Sequence, residues 1–212
     1  HIVLPQWLES VERDYNHPCI NGWCPHNEAS GFWSRNQIDT NVSVIYQATK
    51  QMDNTRPIID ASGWNHTECT DVYDVHDYEQ DTKVFVERYK KHGEGEYFSG
   101  VDIKLLYDGK KPYMVSEYGG MRWKSLVGKD DCENAWGYGE EQESIEQYCV
   151  QYEKLTAAIL SVPNITGFCF TQLYDVEQEQ NGFYYYDRTP KFDEEIYDRI
   201  RKANTQKAKR NL

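Results

Sequence analysis

Basic charge is scarce in this chain, and its scarcity argues against one class of partner. The 212 residues include 23 lysines and arginines against 35 aspartates and glutamates, a formal net charge of −12. Because nucleic-acid binding depends on a basic face that neutralises phosphates, we expect no nucleic-acid partner. No apolar run approaches the roughly 20 residues that a membrane-spanning helix needs, so we also expect no membrane segment.

The motifs of metal and nucleotide binding are missing as well. None of the six cysteines forms a Cys-x-x-Cys pair, and no histidine lies at zinc-ligand spacing from two of them. The absence of a glycine-rich phosphate loop disfavours a flavodoxin-like, nucleotide-binding sheet. A late loop carries Asp175, Glu177 and Glu179, which we interpret as solvated acids, because a hard-cation cage needs several convergent oxygens. We therefore predict neither a metal nor a cofactor.

The cysteines predict reduced thiols. Cys19, Cys24 and Cys169 lie within apolar runs, where a free thiol behaves as a small hydrophobe. Such usage is typical of a reducing compartment, so we expect a cytoplasmic location, with a periplasmic or secreted parent protein as the alternative. Three Asn-x-Ser/Thr patterns occur, and we interpret them as chance because the last one leads directly into a predicted strand.

Strand-like and helix-like runs alternate along the chain, which indicates parallel βαβ units. The predicted strands are residues 19–24, 58–61, 72–76, 112–116 and 165–170. The predicted helices are residues 4–14, 39–52, 82–91 and 140–160, followed by a terminal helix capped by Asp193. A closed (β/α)8 TIM barrel needs eight strands. The pattern therefore predicts a partial α/β barrel, about strands 4–8, with residues 1–212 as the C-terminal part of a catalytic domain.

Two carboxylates follow predicted strands. Glu28 ends the segment His-Asn-Glu after the first strand, and Glu117 ends Met-Val-Ser-Glu at the fourth. A TIM barrel performs its chemistry at the carboxyl ends of its strands, and a carboxylate pair is what hydrolysis of a glycosidic bond requires. Either acid alone is better explained as a surface carboxylate. The pair in this context favours catalysis on a carbohydrate.

The segments around these acids resemble glycoside hydrolase family two, which holds β-galactosidases, β-glucuronidases and β-mannosidases. Residues 13–20 (Arg-Asp-Tyr-Asn-His-Pro-Cys-Ile) and 27–31 (Asn-Glu-Ala-Ser-Gly) are similar to its acid/base region. Residues 53–57 (Asp-Asn-Thr-Arg-Pro), 116–119 (Ser-Glu-Tyr-Gly) and 175–191 are similar to its next helix-to-strand turn, its nucleophile segment and its final loop. The resemblance covers almost the whole chain in the family's order, but only the second half of the family's barrel.

The resemblance implies a retaining mechanism and assigns roles to residues. Glu117 would attack the anomeric carbon, and Glu28 would serve as the acid and then the base. Asn27 would contact the sugar 2-hydroxyl, and Tyr78 would hydrogen-bond the nucleophile and keep it anionic. The family's glucuronidases carry an Asn-x-Lys pattern in the final loop, whereas residues 179–182 are Glu-Gln-Asn-Gly. The resemblance therefore favours a neutral hexose, galactose by family frequency, over a uronate, with a β-mannosidase or β-glucuronidase relative left open.

Other aromatic and histidine residues allow two interpretations each. His76 either lines the pocket or is a satisfied histidine at a strand end, and Tyr78 is either the nucleophile's partner or an ordinary loop aromatic. Trp123, with Trp64 and Trp136, lies in a loop on the predicted catalytic side, where one of them forms a sugar platform or each merely packs. An alternative for the whole chain is a non-catalytic half-barrel that self-associates through its open strand edges.

Overall fold

The computed structural model describes residues 2–29, 35–63, 65–99, 105–123 and 134–209. Its helices are α1 (Val3–Asp14), α2 (Arg35–Met52), α3 (Thr82–Tyr89), α4 (Ile145–Ser161) and α5 (Glu194–Asn204), with a 3₁₀ turn at Lys90–Glu94. Its strands are β1 (Tyr73–Asp77), β2 (Tyr113–Gly119) and β3 (Ile165–Thr171), which form one parallel sheet in the order β1-β2-β3. This α/β arrangement confirms the predicted class. No helix in the described ranges combines the length and apolarity that a membrane crossing demands.

The prediction of five strands is wrong for the first two among the residues described. Instead of continuous strands, these runs make two isolated parallel bridges, Trp23 with Ile58 and Asn27 with Ser62. Backbone bonds support each bridge, but Pro25 lies between them and has no N–H to donate. The pairing of these two runs is therefore interrupted at Pro25, but both bridges are parallel.

Side-chain caps mark the starts of α4 and α5. α4 begins five residues later than predicted, because the side chain of Ser144 caps it by accepting from Gln147 N at 3.2 Å. Asp193 caps α5 as predicted by accepting from Ile196 N at 3.1 Å. The rings of Phe192 and Tyr197, on either side of that cap, lie 5.7 Å apart and form a hydrophobic staple.

The chain divides into two compact units. Unit 1 comprises residues 1–76 and 97–116, and unit 2 comprises residues 77–96 and 117–212. In unit 1, α1 packs on α2 around a core of Val11, Trp23, Tyr46 and Ile58. The indole of Trp7 meets Trp23 edge-on at 6.1 Å and donates to Thr49 Oγ1 at 2.7 Å. The burial of these apolar faces, rather than helix propensity, holds the two helices together.

In unit 2, the long helix α4 packs against α3, α5 and β3. Tyr118 of β2 is fully buried and meets Phe170 of β3 edge-on at 5.4 Å. Tyr152 of α4 meets the same phenylalanine at 5.0 Å. Gly119 has φ of +79°, and a Cβ there would lie 2.2 Å from the ring of Phe170, so only glycine fits after Tyr118.

The thiols are free, but fewer are buried than the apolar runs predict. All five cysteines in the described ranges are unpaired, which agrees with reduced thiols. Cys149 on α4 is buried, whereas Cys19, Cys24 and Cys169 are exposed. The last of these lies on β3, whose side chains are mostly half-buried, so an apolar neighbourhood in sequence did not translate into a covered thiol.

Candidate active site

Glu28 lies in unit 1 in an unusual backbone conformation. Its φ is +47°, a left-handed value that is uncommon for a residue with a side chain. Its backbone N–H donates to Ser62 O at 2.8 Å, which holds this turn against the next segment. Its carboxylate lies 2.7 Å from Nδ1 of His76, and the side chain is 35% exposed. Such strain is typical of functional positions held by their surroundings.

His76 is the buried partner of this carboxylate. Its side chain is 1% exposed, and its other ring nitrogen, Nε2, lies 2.8 Å from Ser62 Oγ. The ring packs against Gly63, where a Cβ would come within 3.0 Å of Cε1. The sequence allowed His76 to be either a pocket residue or a satisfied histidine at a strand end, and the structure supports elements of both. Each ring nitrogen has a hydrogen-bond partner, and one of these partners is the candidate acid Glu28.

Glu117 lies in unit 2 on β2 and receives a hydrogen bond from the phenol of Tyr78. The same phenol oxygen is 3.3 Å from Thr171 Oγ1. Burial, followed by the hydrogen bond to Glu117, raises the pKa of Tyr78 far above its ordinary value. The phenol therefore remains a donor across the range in which enzymes work, and a donor to a carboxylate favours the ionised form that a nucleophile needs.

The structure adds an aromatic residue that sequence reasoning missed. The ring of Tyr138 stacks on Tyr78 with centroids 3.4 Å apart, and Trp136 meets Tyr138 edge-on at 5.6 Å. Gly120 has φ of +62°, and a Cβ there would lie 2.6 Å from Tyr138. The segment Trp-Gly-Tyr-Gly at residues 136–139 was the available signal, because small residues between aromatics allow rings to approach a neighbouring backbone.

The remaining predicted site residues lie in different surroundings. Asn27 is exposed and forms a backbone bridge with Ser62. Trp123 packs with its ring 5.5 Å from Phe192, whereas Trp136 is 45% exposed beside Tyr138. The substrate-binding roles of Asn27 and Trp123 stay predictions. Trp64 lies outside the described residues.

The prediction of a fully solvated acidic final loop is wrong for one residue. Asp175 is 2% exposed and forms an ion pair with Lys191 Nζ at 2.5 Å. It also accepts from Gly182 N at 2.9 Å. Glu177 remains exposed, as predicted. Asp175 therefore stabilises the loop through its contacts with Lys191 and Gly182, and its charge is already balanced by the lysine.

Unit 1 also contains a cluster of buried polar side chains that the sequence did not reveal, and Ser62 links this cluster to His76. The ring of His66 lies between two carboxylates, with Nδ1 2.8 Å from Asp60 Oδ1 and Nε2 3.2 Å from Asp74 Oδ1. All three side chains are 0% exposed. Burial disfavours the charged ring, but the close approach of both carboxylates outweighs it and raises the pKa of His66 to about 10. His66 is therefore a buried cation at neutral pH.

The family follows from a comparison of the whole sequence. Residues 1–203 match the family described as glycosyl hydrolases family 2, TIM barrel domain. The chain belongs to this family. Its match to a β-galactosidase of Vibrio cholerae serotype O1 is 38% identical over 76 residues, which are 32% of this chain and 7% of that one. The resemblance of residue motifs and the α/β barrel class are thereby confirmed for this family 2 chain.

Solved structures show the same fold in distant relatives. A β-glucuronidase from an uncultured Clostridium sp. superposes with a TM-score of 0.62 at 18% identity, covering 96% of this chain and 35% of that one. The β-D-glucuronidase from Dictyoglomus thermophilum gives 0.64 at 16% identity, covering 97% and 35%. This family 2 chain thus spans about a third of the length of these structures, and at such identities the likeness concerns the fold alone.

Proposed function

We propose that the protein carrying this sequence is a retaining β-glycosidase that hydrolyses terminal β-linked hexose by double displacement. Glu117 is its nucleophile and Glu28 its acid/base. The observation that carries the proposal is the hydrogen bond from the Tyr78 phenol to Glu117 at the end of β2, in a member of a β-glycosidase family. A half-buried phenol whose pKa is raised far above its ordinary value is the partner that keeps a carboxylate charged and oriented for attack.

The first step forms a covalent glycosyl-enzyme. An oxygen of Glu117 attacks the anomeric carbon while the bond to the leaving oxygen breaks, and that oxygen takes the proton of Glu28. The second step reverses the roles. Glu28, now a carboxylate, takes a proton from water, and the resulting hydroxide displaces Glu117 from the sugar. Two inversions at one carbon return the β-anomer.

The charges of the final loop support a neutral sugar. Glu177 is exposed in this loop, and the cation of Lys191 is neutralised by Asp175. A uronate needs an accessible cation, because its own carboxylate would be repelled by an acidic loop. The similarity to the β-galactosidase of Vibrio cholerae also favours galactose. A panel of nitrophenyl β-galactoside, β-mannoside and β-glucuronide measures this choice directly, with the galactoside expected to react fastest.

Replacing Glu28 with alanine tests the acid/base role in the full-length protein. We expect turnover of substrates with poor leaving groups to fall by about 10²–10⁴-fold, because the departing oxygen loses its proton donor. The rate of the first step should fall far less for activated nitrophenyl glycosides, because their leaving groups depart without a proton. Added azide should restore turnover with these activated substrates, because a small anion attacks the glycosyl-enzyme without a general base.

The control for this experiment is Glu12→Ala, which removes an exposed carboxylate from α1. An equal loss for all leaving groups in Glu28→Ala, with no azide rescue, would remove Glu28 from the acid/base role.

Replacing Tyr78 with phenylalanine tests the hydrogen bond from the Tyr78 phenol to Glu117. We expect kcat to fall by about 10–10²-fold, since a hydrogen bond to a charged group contributes about 1.5–3 kcal/mol. Tyr197→Phe is the matched control, because it also removes one phenol bond, to Phe183 O at 2.8 Å. Equal kcat values in the two variants would show that the Tyr78 phenol does not support the nucleophile.

A further inference from the structure

The acid/base candidate is joined to a chain of buried hydroxyl and carboxylate groups. Oδ2 of Asp74 accepts from Gly63 N at 3.0 Å, from Ser62 Oγ at 3.0 Å, and from Ser116 Oγ. Ser62 Oγ in turn contacts Nε2 of His76 at 2.8 Å. All of these groups belong to unit 1. They form a continuous path from Asp74 to the ring that contacts Glu28.

Counting protons along this path assigns each donor. A serine hydroxyl carries one proton, and a hydrogen bond to a carboxylate is about twice as strong as one between neutral groups. Ser62 and Ser116 therefore both donate to Asp74, whose other side faces the cationic ring of His66. With its proton committed, the oxygen of Ser62 can only accept in its contact with His76. Nε2 of His76 must then be the protonated nitrogen.

The other ring nitrogen faces Glu28. In a neutral imidazole with its proton on Nε2, Nδ1 carries a lone pair and can only accept. Nδ1 lies 2.7 Å from Glu28 Oε1, a hydrogen-bond distance that needs one proton between the two atoms. In the neutral ring, that proton is the carboxylic proton of Glu28.

We propose that Ser62 and Asp74 are positioning residues that hold His76 as the neutral Nε2–H tautomer, so that its Nδ1 accepts from protonated Glu28. The inference rests on the proposed role of Glu28 as the acid/base. This bond orients the acid O–H that must donate in the first step. When the leaving oxygen arrives, rotation of the carboxyl O–H delivers the proton to it. In the second step the proton of water restores the acid and its bond to His76.

The tautomer can be observed without any assay of activity. The full-length protein is labelled with ¹⁵N-histidine, and the His76→Gln variant identifies the His76 signals by their loss. In the wild type we expect a protonated Nε2 and an unprotonated Nδ1. In Ser62→Ala, Nε2 loses its acceptor, so we expect the ring proton on Nδ1, where it is donated to Glu28, and the proton of Glu28 released to solvent.

Ser116→Ala is the matched variant for the spectrum. It removes a hydroxyl bond from the same oxygen of Asp74 and a 3.2 Å contact with Ser62 Oγ, but leaves the contact between Ser62 and His76 intact. We expect its His76 tautomer to equal that of the wild type. A proton on Nδ1 in the wild type, in a neutral or a cationic ring, overturns the inference. So does a tautomer that Ser62→Ala leaves unchanged.

Kinetics provide the second measurement. We expect Ser62→Ala to lower kcat about tenfold for poor leaving groups and by much less for activated ones, while Ser62→Thr, which keeps the hydroxyl, restores most of the loss. Ser99→Ala, which removes another buried serine hydroxyl of unit 1, should leave both rates unchanged. Equal losses for all leaving groups would indicate a merely structural serine and overturn the inference.

The two proposals can fail separately. If Glu28→Ala shows azide rescue but His76 is protonated on Nδ1, the acid/base role stands and the positioning role of Ser62 and Asp74 falls. If the tautomer is as expected but Glu28→Ala affects all substrates equally, the hydrogen-bond chain exists and Glu28 is not the acid/base, so the inference falls together with the proposed function.

Discussion

The variant Glu117→Gln is expected to lose roughly 10⁶-fold in kcat, the scale known for removal of a catalytic nucleophile. Glutamine has nearly the same shape and can still accept a hydrogen bond from Tyr78, so the surroundings of β2 should be preserved. What disappears is the negative oxygen that bonds to the anomeric carbon. The loss should therefore appear in kcat, with KM changed much less.

A slow fluorinated glycoside identifies the same residue directly. An electronegative fluorine destabilises both oxocarbenium-like transition states, and a good leaving group keeps the first step the faster one. The covalent sugar should therefore accumulate on the full-length protein, and peptide mapping should find it on Glu117. Glu87→Gln, at an exposed acid on α3 that pairs with Lys90, is the control and should label and turn over normally. A sugar on another residue, together with an active Glu117→Gln, would refute the assignment.

The second large effect concerns stability. Replacing His66 with glutamine removes the buried cation between Asp60 and Asp74 and leaves two carboxylates without their counter-charge. Breaking a buried ion pair by removing one partner costs about 3–5 kcal/mol. We expect a decrease of that order in the free energy of unfolding, measured by chemical denaturation. His17→Gln, at an exposed histidine that follows α1, is the matched control and should cost much less.

The pH dependence of this contribution has a definite sign. The pKa of His66 is raised from 6.5 in the unfolded chain to about 10 in the fold. A raised pKa means that the folded state holds the proton more tightly, so the stabilisation is complete below about pH 6.5 and is lost as pH rises through about 10. The stability gap between wild type and His66→Gln should therefore narrow between these values. A constant gap, or a His66→Gln cost no greater than that of His17→Gln, would contradict a cationic His66.

Local sequence was sufficient for the elements whose signals are local. The alternation of strands and helices, the cap at Asp193 and its staple depend on residues within a few positions of one another, and the structure confirms them. The motifs around Glu28 and Glu117 were likewise sufficient for the family, because the chemistry of a glycosidase constrains short segments at strand ends. The sequence also shows Pro25. Its effect on the first strand does not follow from the sequence, because it depends on which residue would have accepted a hydrogen bond from the N–H that proline lacks.

Only the tertiary structure decided which polar groups share protons. Ser62 and Ser116 are 54 residues apart, so no local pattern pairs them. Tyr78 and Glu117 are 39 apart, and only the family resemblance paired them before the structure did. The stack of Tyr138 on Tyr78 was hidden for the same reason. Sequence determines which donors, acceptors and rings are available. Their partners depend on the folded path of the chain, because a hydrogen bond is strong only within a few tenths of an ångström and a narrow range of angles.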